Sequence, residues 1–186
     1  MNKIQVKIPC RYVGKAAIVY DIDNTLLDVS ERLVRSIIEA GGDPIHGLSK
    51  MSLDIRRRFW SIFLSNKYIH LDKPDSKAIE DVNRKYDSGY IIILLTGRPE
   101  YMRKDTIKQL ETYGVKYHIL IMRPNNNRDP DYIYKPMVIE ELIQKGINII
   151  EYHEDDIKTI EKISKLFPTI KVYRHNASKS NISKFF

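Results

Sequence analysis

The sequence predicts a doubly wound, Rossmann-like α/β fold: a parallel sheet with a small helical cap inserted after the first strand. Three observations carry that expectation. Short runs rich in Ile, Val, Leu and Tyr alternate with segments of helical apolar spacing. The runs are too evenly apolar for a sheet with one wet face. One stretch, residues 28–75, breaks the alternation with helical patterns alone.

The first strand is expected at 16–20. In the inserted stretch, Ser30 opens an amphipathic pattern that runs to Ala40 and is closed by Gly41 and Gly42. Ser52 opens a second pattern that runs to Tyr68, with Leu53, Ile55, Phe59, Trp60, Phe63 and Leu64 apolar. Asp75 or Ser76 caps a helix that turns Ala78, Ile79, Val82 and Tyr86 inward and ends before Gly89. A strand at 91–95 follows, then a helix from Glu100 to Tyr113 stopped by Gly114, and a strand at 118–122. A further helix follows Pro136 through Val138 and Leu142 to Gly146 and leads to a strand at 147–152. A last helix carrying Ile157, Ile160, Ile163 and Phe167 ends at Pro168, before a strand at 169–173. Repeats of this length form parallel sheets through right-handed crossovers. The core is assigned to residues 1–27 and 76–186 and the cap to 28–75.

Composition narrows the function classes. With 186 residues, 42% apolar and 30% charged, the chain has enough apolar mass for one core, which excludes a disordered chain and a disulfide-held miniprotein. Cys10 is the single cysteine, so neither an intrachain disulfide nor a multi-cysteine metal knuckle can form. Nothing approaches the roughly 18 consecutive apolar residues of a membrane span, and residues 1–10 alternate apolar and polar side chains unlike a signal peptide. A soluble, cytoplasmic protein without a membrane partner is expected. The net charge of +7 points toward nucleic acid until it is located. Residues 1–20 and 162–186 hold ten basic residues and no acid. Residues 21–161 hold the other 21 against all 24 acids, a net of −3. The basic ends, with Tyr12, Tyr173, Phe185 and Phe186, allow an alternative in which nucleic acid is held on an inactive scaffold. The polar tail after Arg174 is expected to fray.

In a parallel α/β sheet, ligands bind beyond the carboxyl ends of the strands. Unusual residues stand at four such places here: Asp21, Asp23 and Thr25; Thr96, Gly97 and Arg98; Lys135 and Pro136; and Glu154, Asp155 and Asp156. Each alone has a plain structural explanation, as a turn, a helix cap, a solvated lysine or the N-cap of the next helix. Their conjunction, in order on successive strands, does not.

The series resembles the four signature motifs of the haloacid dehalogenase superfamily of phosphotransferases. The likeness extends from about residue 15 to 173, and the insertion resembles the small helical cap that many members place there. Asn24 stands where glycine is common, and His153 and Glu154 crowd the fourth motif. The resemblance implies a phosphomonoester hydrolase in which Asp21 attacks phosphorus to form an aspartyl-phosphate. Asp23 would protonate the leaving alcohol and then activate water. Thr96 and Gly97 would hold phosphoryl oxygens, and Lys135 would neutralise charge shared by Asp21 and the phosphate. Mg²⁺ would be bound by the Asp21 carboxylate, the Asp23 carbonyl and Asp155, with Asp156 the next candidate and then Glu154. Setting Ile157 and Ile160 on the buried face of the last helix makes Asp156 its N-cap and leaves Asp155 at the strand end.

A cap of about fifty residues suits a small phosphomonoester such as a nucleotide or sugar phosphate. Arg56, Arg57 and Arg58 beside Trp60 read as a solvated helix face with Trp60 in the cap core, or else as an inner lining of the cap. Arg98, Arg123, Arg128, Asp131 and Lys135 give a weaker similarity to the phosphatase domain of polynucleotide kinase–phosphatases, which remove 3′-phosphates from nucleic acid ends. In that alternative Arg98 and Arg123 fork onto phosphate; equally, Arg98 pairs with a nearby acid. A receiver-like signalling domain would need neither Asp23 nor Thr96 and Gly97. The five histidines lack metal-ligand spacing.

Overall fold

The computed structural model describes residues 8–175. The expectations for Lys3, Lys7, Lys179, Lys184, Phe185, Phe186 and the tail beyond residue 175 lie outside it. Strand β1 (Ala16–Tyr20) leads into the two-residue β2 (Leu27–Asp28), helices α1 (Ser30–Glu39) and α2 (Leu53–Phe63), and the two-residue β3 (Lys73–Pro74). Then come α3 (Ser76–Asp87), β4 (Ile91–Pro99), α4 (Arg103–Thr112), β5 (Ile119–Arg123), α5 (Asp131–Gln144), β6 (Asn148–Glu154), α6 (Ile157–Leu166) and β7 (Lys171–Arg174). The five longer strands form a parallel sheet in the order β5-β4-β1-β6-β7. The chain builds outward from β1 to β4 and β5, then crosses back to lay β6 on the other side of β1. That reversal opens a crevice at the carboxyl end of β1, between the ends of β4 and β6.

Both faces of the central strands are covered, alternate residues of one strand pointing into opposite layers. Ile18, Tyr20, Ile92 and Leu94 pack with Ala78, Ile79 and Val82 of α3 and Leu110 of α4. Ala17, Val19, Ile91, Ile93 and Leu95 pack on the other face with Val138, Ile139 and Leu142 of α5 and Ile163 of α6. The inserted helices join the first cluster: Leu33 and Ile37 of α1 and Phe59 and Phe63 of α2 are buried in it. Leu27 pairs with Pro74 and Asp28 with Lys73, so the chain leaves for the insertion and returns from it through one short antiparallel ribbon.

The structure differs from the sequence expectations in three places. Helix α5 begins at Asp131 and carries Pro136 inside it. Pro130, in extended conformation, starts the helix instead, at the cost of one missing backbone donor at Pro136. Helix α2 stops at Phe63, where the Ser65 hydroxyl donates to the Ile62 carbonyl, and only a short 3₁₀ turn, Ile69–Leu71, follows. On α6, Ile163 is buried as expected, but Ile157 is 46% exposed and Thr159 is buried instead.

Phe59 is wholly buried and stacks on Phe63. Truncation of Phe59 to Ala should cost about 3–5 kcal/mol in one cooperative urea transition, because its cavity opens in the shared core. A cost below about 1 kcal/mol, or a separate transition for the insertion, would contradict that packing.

Candidate active site

The four motifs converge at the crevice. Asp21 follows β1 directly, its N–H donating to the His153 carbonyl at 2.9 Å. Starting α5 at Asp131 puts Lys135 in the second helical turn, one turn beyond Asp131 and on the same face. The Lys135 ammonium, 1% exposed, lies 2.7 Å from Asp21 Oδ1, 2.7 Å from Glu154 Oε2 and 3.2 Å from Asp131 Oδ2. Burial pushes this ammonium toward neutrality, but Asp21, Glu154 and Asp131 outweigh it and hold the proton firmly. One carboxylate oxygen each from Asp21, Glu154 and Asp155 lies within 4.8 Å of the others.

The acids of the fourth motif have separate duties. Glu154 Oε2 accepts from Lys135 and from the Tyr152 hydroxyl, both at 2.7 Å. Its Oε1 accepts from the backbone N–H groups of Asp155 and Asp156 at 3.1 and 3.3 Å. Asp156 caps α6, accepting from Thr159 N–H at 2.9 Å and the Thr159 hydroxyl at 2.6 Å. Asp155 is left with its carboxylate turned to the cluster. Burial raises the Asp21 and Asp155 carboxyls well above their ordinary range. Neighbouring carboxylates add to the effect, and Lys135 opposes it.

Around Asp23 the charges form a closed ring. Arg32 Nη2 donates to Asp23 Oδ1 at 2.7 Å, and Arg98 Nε reaches the two Asp23 oxygens at 3.0 and 3.2 Å. Asp72, between the 3₁₀ turn and β3, holds the far side: Arg32 Nε lies 2.9 Å from its Oδ1 and Arg98 Nη2 2.8 Å from its Oδ2. Gln109 of α4 donates to Asp72 and accepts from Arg98. Burial works against the Asp23 carboxylate, but the two guanidiniums outweigh it and hold the carboxyl at about 2. Burial pushes Asp72 up to about 6, with the Asp23 carboxylate adding to the effect and the same two guanidiniums opposing it.

Thr96 and Gly97 lie at the carboxyl end of β4, where the pairing with β5 shifts register between Thr96 and Pro99. The Thr96 hydroxyl accepts from the Arg98 N–H at 3.1 Å. A Cβ on Gly97 would stand 2.6 Å from an Asp131 carboxylate oxygen, so the close approach that requires glycine is to Asp131. Arg98 and Arg123, which the polynucleotide alternative places on phosphate, are held by protein acceptors; for Arg98 this is the other expected arrangement, a pairing with nearby acids. Arg98 is fully buried in the ring. Arg123 donates to the Gly97 carbonyl at 3.0 Å, to Asn127, to the Asp129 carbonyl and to Asp131. Trp60 is 41% exposed on α2 beside exposed Arg57 and Arg58, rather than in a core of the insertion. A groove of about 740 Å³ lies elsewhere, along α3 between Pro74 and Ser88, and touches none of these groups.

Sequence reasoning did not find Arg32, Asp72 or Asp131 as partners of the motif residues. Helical periodicity leaves Arg32 on no special face, and Asp72 sits in irregular chain. Only the i, i+4 relation of Asp131 to Lys135 was available, and placing the helix start at Pro136 concealed it.

A charge count bears on a metal. Asp23 and Asp72 are balanced by Arg32 and Arg98, and Asp131 by Arg123. Asp21, Glu154 and Asp155 face one ammonium. Counted as ionised, these groups carry a surplus of two negative charges on hard oxygen donors, which a divalent cation such as Mg²⁺ would balance; burial and mutual repulsion otherwise raise the Asp21 and Asp155 carboxyls.

Among solved structures, one chain of the Pnkp1/Rnl/Hen1 complex superposes with a TM-score of 0.65 at 18% identity, covering 96% of this chain and 50% of that one, so this chain spans half its length. A haloacid dehalogenase-like hydrolase from Streptococcus pneumoniae superposes with a TM-score of 0.64 at 15% identity, over 92% of this chain and 90% of that one. Protein Tyrosine Kinase A of Mycobacterium tuberculosis gives 0.62 at 12% identity, over 87% and 83%. At such identities the likeness is one of fold. No curated protein matches the chain. Among the described residues, no helix is long and apolar enough to cross a membrane. The family model for subfamily IIIB (acid phosphatase) of the HAD superfamily matches residues 3–174, nearly the whole chain, and with the fold and the converging motifs it makes this protein a member of that family, a HAD-type phosphatase.

Proposed function

We propose that the chain is a Mg²⁺-dependent phosphomonoesterase working through an aspartyl-phosphate on Asp21. The observation that carries this reading is the buried contact of Lys135 with Asp21 and Glu154, each at 2.7 Å, beside Asp155. Lys135 fixes one Asp21 oxygen and lowers the repulsion that an incoming phosphate would meet. Asp21, Asp155 and the Asp23 carbonyl would hold the cation. Glu154, with both oxygens engaged, positions Lys135, and Asp156 belongs to the helix cap. When bound, the cation supplies charge neutralisation at the phosphoryl oxygens. Thr96 and the Gly97 N–H are assigned to those same oxygens, and residues 28–75 to a cap over the site.

Asp23 acts on the leaving group. Its Oδ1 receives both guanidiniums, whereas Oδ2 has only the longer contact to Arg98, and the side chain is 20% exposed. Held at about 2, it is ionised, the form that takes a proton from water when the phosphoenzyme is hydrolysed. The proton it gives in the first half arrives with the substrate, whose second ionisation lies near pH 6 by analogy with phosphorylated side chains.

A small phosphomonoester, such as a nucleotide or sugar phosphate, is the substrate class we favour. A second reading, a polynucleotide 3′-phosphatase, is supported by the likeness to the Pnkp1 complex chain over 96% of this one. The engagement of Arg98 and Arg123 by protein acceptors weighs against their forking onto a nucleic acid phosphate. The single cysteine, Cys10, supports a cytoplasmic location.

The reading is tested by hydrolysis of p-nitrophenyl phosphate, nucleotides, sugar phosphates and 3′- and 5′-phosphorylated oligonucleotides, with Mg²⁺ or EDTA. Turnover should vanish in EDTA and in Asp21→Asn, and activity in either would sink the mechanism. Preference for 3′-phosphorylated ends would transfer the assignment to the second reading. Because the substrate monoanion carries the proton, kcat/KM should fall as pH rises through about 6; a profile flat from about pH 5 to 9 would remove that step. Gly97→Ala, which displaces Asp131 from Lys135 and Arg123, should lower kcat by on the order of 10²-fold and lower the melting temperature as well, because it loosens a contact to a buried ammonium; wild-type values of both would contradict that contact.

A further inference from the structure

Asn24 occupies the tightest point of the turn after β1. Its φ is 58°, and among the described residues it is the one non-glycine with positive φ. Its N–H donates to the Leu27 carbonyl at 2.7 Å, closing the turn that carries Asp21 and Asp23. Glycine adopts this backbone more easily than asparagine, so the turn itself calls for no side chain.

The side chain is nevertheless buried, with the residue 7% exposed, and it is directed to the carboxylate cluster. Its amide donates to the Asp155 carboxylate. Its Oδ1 is buried without a hydrogen-bond partner, which identifies Nδ2 as the donor to Asp155. A buried acceptor left unmatched is costly, and this one belongs to a side chain bonded to one of three carboxylates gathered within 4.8 Å.

We propose that Asn24 is a positioning residue for the divalent cation: Nδ2 fixes the Asp155 carboxylate, and Oδ1 accepts from a water of the cation's hydration shell. The inference rests on the reading of Asp21 and Asp155 as ligands. Mg²⁺ bound by one or two carboxylates keeps several waters, each able to donate. Ligating carboxylates are themselves oriented by hydrogen-bonding partners. One side chain thereby ties the turn after β1, which carries the nucleophile, to the end of β6, which carries the ligand.

Mg²⁺ titration calorimetry on the wild type, Asn24→Gly, Asn24→Ala and Asp155→Ala tests this, with melting temperature measured with and without Mg²⁺. Glycine keeps the left-handed backbone, so Asn24→Gly should melt no lower than wild type without metal. It should bind Mg²⁺ about ten-fold more weakly and gain less thermal stability from it. Alanine serves as the second truncation should glycine loosen the turn. Affinity of the folded truncation within roughly two-fold of wild type, while Asp155→Ala binds poorly, overturns the inference alone. Failure of the wild type to bind Mg²⁺, or normal binding by Asp155→Ala, overturns the metal reading and the inference with it.

Discussion

A lysine ammonium almost wholly withdrawn from water, that of Lys135, is the constraint on which the site depends. Burying such a charge is tolerable only where carboxylates meet it at hydrogen-bond distance, and removing one partner from a buried pair costs about 3–5 kcal/mol. Asp21 and Glu154 meet it from β1 and β6, two neighbouring strands, and Asp131 meets it from its own helix. The ammonium therefore draws α5 onto the sheet at the point where the strand order reverses. The Tyr134 hydroxyl, donating to the Met122 carbonyl at 3.0 Å, secures the same turn of helix to β5.

The ring of Asp23, Arg32, Asp72 and Arg98 is a second buried arrangement, and it is neutral. Its members come from the turn after β1, from α1, from the return of the insertion and from the end of β4. Two of the four belong to residues 28–75, so the insertion is bound to the site by charge as well as by the shared apolar cluster. The Phe63 ring covers the Arg32 guanidinium, 4.4 Å from its centroid, which keeps water from competing for the ion pairs. The state of Asp23 is thus tied to how the insertion sits. The two groups of charges differ in kind: the ring closes on itself, while the cluster at Lys135 keeps a negative surplus for a ligand to meet.

Much of this was legible in the chain. The alternation of apolar runs with helical spacing specified the five parallel strands, because a strand covered on both faces must be apolar throughout. The four motif ends were legible because chemistry at the carboxyl edge of such a sheet needs acids, a lysine and glycine where packing alone does not. Less legible were the partners. Arg98 and Arg123 carry the same guanidinium whether they meet substrate or protein, and only the position of Asp23, Asp72 and Asp131 decides between these. The start of α5 was obscured because proline signals a helix boundary more often than it tolerates an interior place.

By itself, then, the sequence determined the fold class, the order of the strands along the chain and the residues of the four motifs, since these follow from local periodicity and residue chemistry. Asp156 as the cap of α6 was legible as well; the tertiary structure decided that Glu154 holds Lys135 and leaves Asp155 beside it in the carboxylate cluster. Glu154, Asp155 and Asp156 are adjacent and nearly identical in chemistry. What separates them is the alternation of the strand, the start of the helix and the groups brought to each from elsewhere in the chain.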